Sequence, residues 1–478
     1  MKKLTTVFVA AASIAFAAAL GAQAPDRQKA PATGPVPALK LPPIQKRQLS
    51  NGVPVWLVEV HDVPVAQVGL LLLRGSADDP AGQYGIASLT ASMLTEGAGA
   101  RNALDLADAV DFLGASLTSG AGIDATTVRL QVPVARLGEA LPIMADVALR
   151  PTFPPQELER VRQQRLVSLL QARDDAASVA GLALSRVLYG ASHRFGVATM
   201  GTAATLKAFT PQDLRTFYEG MYRPENATLI VTGDVTLDRV QPMLEAAFGG
   251  WRATGAAGAR VTLPAPAPLP ARTVYLIDKP GAPQSQIRIG RVGVPRSTPD
   301  FFPLQVMNTV LGGSFTSRLN LNLREKHGYS YGAASVVDMR VAAGPISALA
   351  GVQTDKTSES LTEFFNELNG ILQPVPGDEL ARGKNYVALR FPSGFETAGD
   401  LARRLEDAIV YKLPDDYFAK YVPAIQAVTA ADVQRVARAH FPPDRVAIIV
   451  VGDRKTIEPG IKALNLGAIR VMTLDEIF

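Results

Sequence analysis

The segment FTPQDLRTFYEGMYRPENATLIVTGDV, residues 209–235, aligns without a gap to VTAADVQRVARAHFPPDRVAIIVVGDR, residues 428–454. Seven of the 27 aligned positions are identical, including a proline and a Gly-Asp pair. In each copy a threonine precedes an amphipathic helix, a proline ends the helix, and a β-branched strand finishes at Gly-Asp. The match predicts an internal duplication rather than two unrelated domains.

The duplicated segments lie in two halves that a linker separates. Residues 249–272 read GGWRATGAAGARVTLPAPAPLPAR, and this Gly-, Ala- and Pro-rich composition is typical of a linker. We therefore predict an N-terminal domain over residues 45–248 and a C-terminal domain over residues 273–478. Strand pairs alternate with helix pairs along both halves. That order favours an α+β fold, in which each duplicated half is a mostly antiparallel sheet layered with helices on one face.

Apolar periodicity predicts the elements of each half. In the N-terminal half, strands are predicted within residues 51–60, 64–75 and 124–133, and helices over residues 84–94, 102–113, 136–149 and 154–172. In the C-terminal half, strands are predicted over residues 273–277, 286–290, 329–338 and 345–352, and helices over residues 301–311 and 316–326, followed by several more. Each half therefore has the elements of a complete α+β domain.

The first 24 residues, MKKLTTVFVAAASIAFAAALGAQA, have the layout of a secretory signal peptide. Lys2 and Lys3 precede an apolar run, residues 7–20, that is shorter than the ~20 residues needed to span a bilayer, and small residues follow it. The alternative is an uncleaved membrane anchor. Residues 25–44 form a Pro-rich lead-in. We expect export, in a bacterium to the periplasm, without a stable membrane anchor.

The composition excludes several classes of protein. Since 47% of the residues are hydrophobic and 19% are charged, the chain is globular rather than disordered. The absence of cysteine excludes disulfides, iron–sulfur clusters and a cysteine nucleophile. The net charge is only +4, and the basic residues are dispersed, so we expect no nucleic-acid partner. Neither a G-x-S-x-G elbow nor a phosphate-binding G-x-x-x-x-G-K-[ST] loop is present.

The N-terminal half contains the segment GSADDPAGQYGIASLTASMLTEGAGA, residues 75–100, in which a strand end, an Asp-Pro turn and a helix follow one another. This segment resembles the first-domain signature of the pitrilysin, insulinase and mitochondrial processing peptidase family of inverted zinc-motif metallopeptidases. Members carry H-x-x-E-H on this helix, where two histidines bind zinc and the glutamate activates the metal-bound water. The corresponding residues here are Ser88, Ala91 and Ser92. The residues that flank the motif are present, but the zinc-binding histidines and the catalytic glutamate are absent.

The resemblance also implies that the third zinc ligand is lost. In the family this ligand is a glutamate, and its position falls on Ser168 in the long predicted helix. Because hydroxyl and methyl groups are poor zinc ligands, we expect no metal and no cofactor in this chain. The four histidines lie far apart in the sequence, which favours surface or packing roles. They are His61, His193, His327 and His440.

The C-terminal half contains LGGSFTSRLNLNLREKHGYSYGAAS, residues 311–335, which resembles the family's second signature. In active members an arginine on this helix and a tyrosine seven residues later contact the substrate, and the resemblance places this pair at Arg324 and Tyr331. A cation and a phenol can hold a peptide carbonyl and stabilise the oxyanion that forms on it. Without the family, the two residues would be read as a solvated charge and a half-buried aromatic. Because the surrounding signature is in frame, we interpret the pair as functional.

The chain lacks the zinc ligands in one half and retains the arginine and tyrosine in the other. In this combination it resembles the zinc-free subunit of heterodimeric family members. The resemblance implies that the chain forms one half of a clamshell and is not catalytic alone. It would supply Arg324 and Tyr331 in trans to a zinc-bearing homologous subunit, within a zinc metalloendopeptidase that hydrolyses peptides. The alternative is a non-enzymatic protein that uses the inherited chamber to bind peptides or to act as a scaffold. The retained pair argues against a pure scaffold.

Overall fold

Two six-stranded sheets, one from each half of the sequence, organise residues 41–478, the part of the chain that the structure, a computed structural model, describes. The predicted signal peptide, residues 1–24, lies outside the described residues, as does most of the predicted lead-in. Within residues 41–478, no helix has both the length and the apolar character that crossing a membrane requires.

The strands divide evenly between the two six-stranded sheets, with one additional short pair. The strands of the N-terminal half are β1 (Gln45–Gln48), β2 (Pro54–Glu59), β3 (Val65–Leu72), β4 (Gly97–Ala98), β5 (Arg101–Asn102), β6 (Ser116–Ala121), β7 (Thr126–Pro133) and β8 (Ala227–Gly233). The strands of the C-terminal half are β9 (Thr273–Asp278), β10 (Gln284–Val292), β11 (Ser330–Val337), β12 (Pro345–Gln353), β13 (Ala447–Gly452) and β14 (Ala468–Met472). Strands β4 and β5 pair only with each other.

The helices of the described residues surround these sheets. In the N-terminal half they are α1 (Ile86–Met93), α2 (Ala103–Phe112), α3 (Leu137–Leu149), α4 (Pro155–Asp174), α5 (Ala176–Tyr189), α6 (Ala203–Ala208), α7 (Pro211–Met221) and α8 (Leu237–Phe248). In the C-terminal half they are α9 (Phe301–Leu311), α10 (Arg318–Asn320), α11 (Thr357–Gly370), α12 (Gly377–Arg390), α13 (Ala398–Val410), α14 (Tyr417–Ala427), α15 (Ala430–His440), α16 (Arg454–Ala463) and α17 (Leu474–Ile477).

The two sheets share one topology. The order β6-β7-β3-β8-β2 in the N-terminal sheet matches β11-β12-β10-β13-β9 in the C-terminal sheet. In both, most neighbours are antiparallel and the pairs β2–β8 and β9–β13 are parallel. The sixth strand differs, because β1 lies antiparallel to β2 whereas β14 lies parallel to β9. The predicted α+β fold with two duplicated, mostly antiparallel halves is confirmed.

The repeated segment forms the same local structure in both halves. Thr210 precedes α7 and Thr429 precedes α15, and each forms a capping box. The threonine Oγ accepts a hydrogen bond from Asp213 N at 3.3 Å in the first copy and from Asp432 N at 3.1 Å in the second. The predicted threonine caps are therefore present in both copies.

One helix of each half packs on the sheet of the other half. Helix α5 of the N-terminal half packs on β10 and β13, where Val179, Ala183 and Leu184 join the core of the C-terminal sheet. Helix α13 of the C-terminal half packs on β3 and β8, where Leu401 and Leu405 join a core on the N-terminal sheet. Since β3 and β8 are the counterparts of β10 and β13, the exchange is reciprocal.

This exchange covers the second face of the N-terminal sheet. Successive residues of a strand point to opposite faces. Leu70 and Leu72 of β3 belong to the large N-terminal core, whereas Leu71 belongs to the core formed with α13. Helices therefore cover both faces, where the sequence predicted one, because the second layer comes from the other half of the chain.

Polar contacts also join the two halves. Arg129 of β7 donates from Nε and Nη2 to the two carboxylate oxygens of Glu406 on α13, at 2.9 and 2.6 Å. At the end of α5, the Tyr189 hydroxyl donates to Ala343 O at 3.0 Å. A bidentate arginine–carboxylate pair defines orientation as well as distance. The two halves are thus tied together by packing and by directed hydrogen bonds.

Candidate functional site

The helix that carries the degenerate zinc motif begins after a glycine in a left-handed conformation. Gly85 has a φ of 101°, and a Cβ at this position would lie 2.4 Å from Met200 O, so only glycine fits. Asp79, from the Asp-Pro turn, accepts hydrogen bonds from Gly85 N at 2.7 Å and from Ala87 N at 2.9 Å. The carboxylate therefore satisfies free N–H groups at the start of α1 and fixes its direction.

Asp79 is held in turn by a buried ion pair. Its Oδ2 lies 2.9 Å from Nε of Arg194, and the two side chains are 0% and 3% exposed. Burial raises the pKa of Asp79, although Arg194 and the backbone donors act in the opposite direction. Arg194 also donates to the carbonyl oxygens of Ser76 and Val197, at 2.7 and 2.9 Å. Because both side chains are buried, loss of either one would leave the charge of the other unpaired, so the pair supports this corner of the fold.

We expect Asp79→Ala to lower the free energy of unfolding by about 3–5 kcal/mol, because it leaves the Arg194 guanidinium buried without a counter-charge. Urea denaturation at neutral pH measures the change. Asp108→Ala, at an exposed position on α2, is the matched control and should shift stability by less than about 0.5 kcal/mol. Equal effects of the two substitutions would contradict the assignment of Asp79.

An arginine occupies the space between the two serines of the motif. Arg165 on α4 donates from Nη1 to Ser88 Oγ at 3.1 Å and from Nη2 to Ser92 Oγ at 2.6 Å. Its Nη2 also donates to Ser88 O at 2.8 Å. Since residues four apart on a helix lie on one face, the two serines meet one guanidinium as two histidines would meet a metal ion. We refer to Ser88, Ser92 and Arg165 as the serine–arginine cluster.

The residues at this position do not fit zinc. Burial lowers the pKa of Arg165 to about 10, so the side chain remains a cation at neutral pH and would repel a metal ion. Ala91 contributes only a buried methyl group. Ser168, at the predicted third-ligand position, donates its hydroxyl to Gln164 O of its own helix at 3.0 Å. Among the described residues, no group of three or more His, Cys, Asp or Glu side chains could hold a metal ion.

The four histidines lie in four separate environments. His61 contacts Asp234, His193 contacts Pro264 O, His327 stacks on the ring of Tyr329, and His440 contacts Asp300. Each therefore has a neighbour of its own, and they do not converge on one site.

Tyr331 projects from a β-bulge at the start of β11. The pairing of β11 with β12 changes register between Ser330 and Ala333. The Ser330 hydroxyl donates to Gly351 O at 2.8 Å and accepts from Gly332 N at 3.0 Å, so it supports the irregular backbone. Tyr331 is 88% exposed. The bulge thus directs a large aromatic side chain into solvent, as bulges beside functional sites commonly do.

Arg324 lies in a π-helical turn. The helix predicted over residues 316–326 is present, as the short α10 followed directly by a π-helix, Leu321–Lys326. Asn322 Nδ2, in this turn, donates to Glu367 Oε1 of α11 at 2.6 Å. This side-chain contact joins the turn to α11. Single π turns are frequent at functional sites.

The two predicted substrate-binding residues lie together on the surface. Cζ of Arg324 is 5.2 Å from the ring centroid of Tyr331 and 4.7 Å from that of Phe315, within cation–π range. Nε of Arg324 also pairs with Glu325 at 3.2 Å. Phe315 is 58% exposed. The cation and the two exposed rings therefore lie side by side on the surface. We refer to Arg324, Tyr331 and Phe315 as the arginine–tyrosine cluster.

Sequence reasoning missed one member of each cluster. Arg165 precedes Ser168 by three residues, which places both on one face of α4, and this spacing was the available signal. Phe315 lies inside the quoted signature, but an exposed aromatic and a buried one look the same in sequence. The contacts of the described residues place the six side chains in two clusters, one in each half.

The comparisons with known proteins match both halves. The family model described as "Insulinase (Peptidase family M16)" matches residues 55–191, and the one described as "Peptidase M16 inactive domain" matches residues 208–387. The chain belongs to the M16 peptidase family. The first match contains the serine–arginine cluster of this M16 protein, and the second contains its arginine–tyrosine cluster.

Curated M16 relatives are similar over most of their length. A protein described as an uncharacterized zinc protease of Streptomyces coelicolor is 23% identical over 402 residues, which cover 83% of this chain and 86% of the relative. One of the same description from Bacillus subtilis is 25% identical over 328 residues, covering 68% of this chain and 78% of the relative.

Solved structures share the fold of this M16 protein. A peptidase M16 inactive domain from Pseudomonas fluorescens is 26% identical with a TM-score of 0.78, covering 86% of this chain and 98% of that chain. A Helicobacter pylori protease is 20% identical with a TM-score of 0.79, covering 86% of this chain and all of the other. The Escherichia coli periplasmic protease PqqL, 17% identical with a TM-score of 0.73, is matched over 90% of this chain and 50% of its own.

Proposed function

We propose that this M16 protein is the zinc-free subunit of an exported heterodimeric metallopeptidase. The observation that carries the proposal is the contrast between its two clusters. In the N-terminal half a guanidinium lies between the two motif serines, at 3.1 and 2.6 Å from their hydroxyls. In the C-terminal half Arg324 and Tyr331 stand together on the surface. A homologous partner would carry the zinc, and this chain would bind the peptide.

The arginine–tyrosine cluster offers the donors that such a role needs. Nε of Arg324 is engaged with Glu325, while the guanidinium packs between the two aromatic rings. Its remaining N–H groups and the phenol of Tyr331 share one exposed surface. Together they would donate to a peptide carbonyl, and the cation would stabilise the charge that develops on its oxygen. The partner's metal would supply the attacking water.

We further propose that the complex acts after export, in the periplasm of a bacterium. The signal-peptide pattern of residues 1–24 supports this location. The structural neighbour PqqL is described as periplasmic, and a chain of this fold accounts for half of its length. The other half of PqqL is long enough for a second unit of this size. Such a length is consistent with two M16 units that act together.

The partner can be sought in the same genome. The strongest candidate is a homologue with an intact H-x-x-E-H helix encoded beside the gene of this chain. Co-expression and size-exclusion chromatography should give a stable one-to-one complex. If such a homologue elutes separately and this chain alone retains peptides, the chain is a non-enzymatic peptide-binding protein instead.

We expect the isolated chain to contain far less than one zinc ion per molecule, because Arg165 lies at the motif and no metal-binding group is found within residues 41–478. Plasma mass spectrometry after dialysis measures the content. A chelator should leave the melting temperature unchanged, since no structural metal contributes to folding. One tightly bound zinc ion per chain would overturn the proposed function.

A further inference from the structure

We propose that the serine–arginine cluster is a binding site for a carboxylate, carried either by the C-terminus of a peptide or by an acidic side chain. The peptide nature of the ligand rests on the proposed function, whereas the anion site rests on the contacts of this chain alone. The former metal position would thus hold the negative end of a peptide.

The first observation is that the charge of Arg165 is uncompensated. Its three described hydrogen bonds all go to neutral oxygens, those of Ser88 and Ser92. Desolvation is the one cause that shifts its pKa, and the shift is downward, as expected for a buried cation without a nearby anion. A desolvated charge that lacks a counter-ion is costly to a fold, and such groups mark functional positions.

The acidic residues close to the cluster are engaged elsewhere. Glu96, which follows Ser92 by one helical turn, pairs with Arg160. On α4, Glu157 pairs with the same arginine at 2.6 Å and Glu159 pairs with Arg162 at 3.2 Å. These three glutamates are therefore committed to other arginines, and Asp174 at the end of α4 pairs with Lys279 at 2.8 Å. The Arg165 charge remains available to a ligand.

The second observation is that the cluster has spare donors and is only partly buried. A guanidinium has five N–H groups, and three of those on Arg165 are used. Ser88 Oγ accepts from Arg165, which leaves its own proton to donate. Ser88, Ser92 and Arg165 are each partly exposed. Because both Nη2 protons are used, the free N–H groups are Nε and one of Nη1. A carboxylate would accept the free Nη1 proton together with the proton of the neighbouring Ser88 hydroxyl, in charge-assisted hydrogen bonds.

The test uses the isolated mature chain and three blocked tripeptides. Acetyl-trialanine with a free C-terminus and acetyl-Ala-Glu-Ala amide each carry one carboxylate, and acetyl-trialanine amide carries none. We expect the wild-type chain to bind at least one of the acids about tenfold more tightly than the neutral amide, as a charged hydrogen-bonded pair provides. Saturation-transfer NMR measures the binding. Which acid binds distinguishes a C-terminal from a side-chain carboxylate.

Two variants test the assignment to the cluster. Arg165→Gln should abolish the preference for acids, whereas Ser88→Ala with Ser92→Ala keeps the cation and should retain a reduced preference. Thermal melting shows whether each variant is folded, and the double serine variant provides the readout if the glutamine variant is not. The inference is overturned if the wild type binds the acids and the amide equally, binds none of them, or if folded Arg165→Gln keeps the preference.

The outcome is independent of the zinc-bearing partner. If the chain binds carboxylates but does not affect the activity of a partner, the anion site is supported and the proposed function is refuted. The opposite result, activity that needs this chain without carboxylate preference, would remove the anion site alone.

Discussion

We expect peptide cleavage by a mixture of this chain and the proposed zinc-bearing partner to fall about 10²- to 10³-fold when Arg324 is replaced by alanine, and by a similar factor for Tyr331→Phe. A loss of this size is typical of removing one donor to a developing oxyanion. Both side chains are on the surface, where truncation leaves the core untouched. The effect should therefore appear in kcat/KM for a fluorogenic peptide, with unchanged melting temperature and unchanged complex formation.

Matched controls for this prediction lie on α12. Arg382 is exposed and pairs only with Asp378 one turn away, and Tyr386 is 38% exposed. Arg382→Ala and Tyr386→Phe should leave cleavage within about twofold of the wild type, as expected for surface substitutions. Cleavage that does not depend on this chain at all, or that survives both cluster substitutions, would refute the proposed function.

A second large effect is expected from rebuilding the metal site. The fourfold variant Ser88→His, Ala91→Glu, Ser92→His and Ser168→Glu restores the family's ligands on α1 and α4. With Arg165 in place it should bind zinc weakly, because the guanidinium lies between the two ligand-bearing positions. Replacing Arg165 by leucine as well should raise zinc affinity by at least about a hundredfold. Two unit charges 4 Å apart repel by about 4 kcal/mol at an intermediate dielectric, and zinc carries two.

Competition with a chromophoric chelator measures both affinities. Arg160→Leu in the same fourfold background is the matched control, since Arg160 lies on the same helix but pairs with Glu96. It should leave zinc affinity near that of the fourfold variant. Equal zinc affinities with and without Arg165 would show that the guanidinium moves aside freely and does not block the site.

Much of the fold was predictable from local pattern. Thr210 and Thr429, each followed by an amphipathic helix and a β-branched strand, predicted the duplication that the matching strand orders display. Helix and strand types follow from periodicities of 3.6 and 2 residues, which are properties of short segments. Over residues 316–326 the helix was predicted but its type was not, because residues 321–326 form a π-helix in which Asn322 donates to Glu367 of another helix. A contact of this kind cannot be detected from the local periodicity of apolar residues in the sequence.

The candidate site was predictable only in part. The resemblance identified the positions of Ser88 and Ser92 and of the Arg324–Tyr331 pair. It did not predict that a cation would lie between the serines, because Arg165 is 77 positions from Ser88 and reads in sequence as one of several arginines on a polar helix. Nor did it predict the bulge that exposes Tyr331, which depends on the register of β11 against β12.

The sequence by itself indicated which chemistry the motif helix lacks. Serine hydroxyls and an alanine methyl group are poor zinc ligands whatever the fold, so residue identity at the aligned positions was enough to predict that this half binds no zinc. Repetition and periodicity likewise determined two α+β halves. Only the tertiary structure decided that the halves exchange α5 and α13, that Arg129 meets Glu406 277 positions away, and that a guanidinium fills the metal position. These features depend on contacts between distant segments, and such contacts are selected by the packing of the whole chain rather than by any short stretch of it.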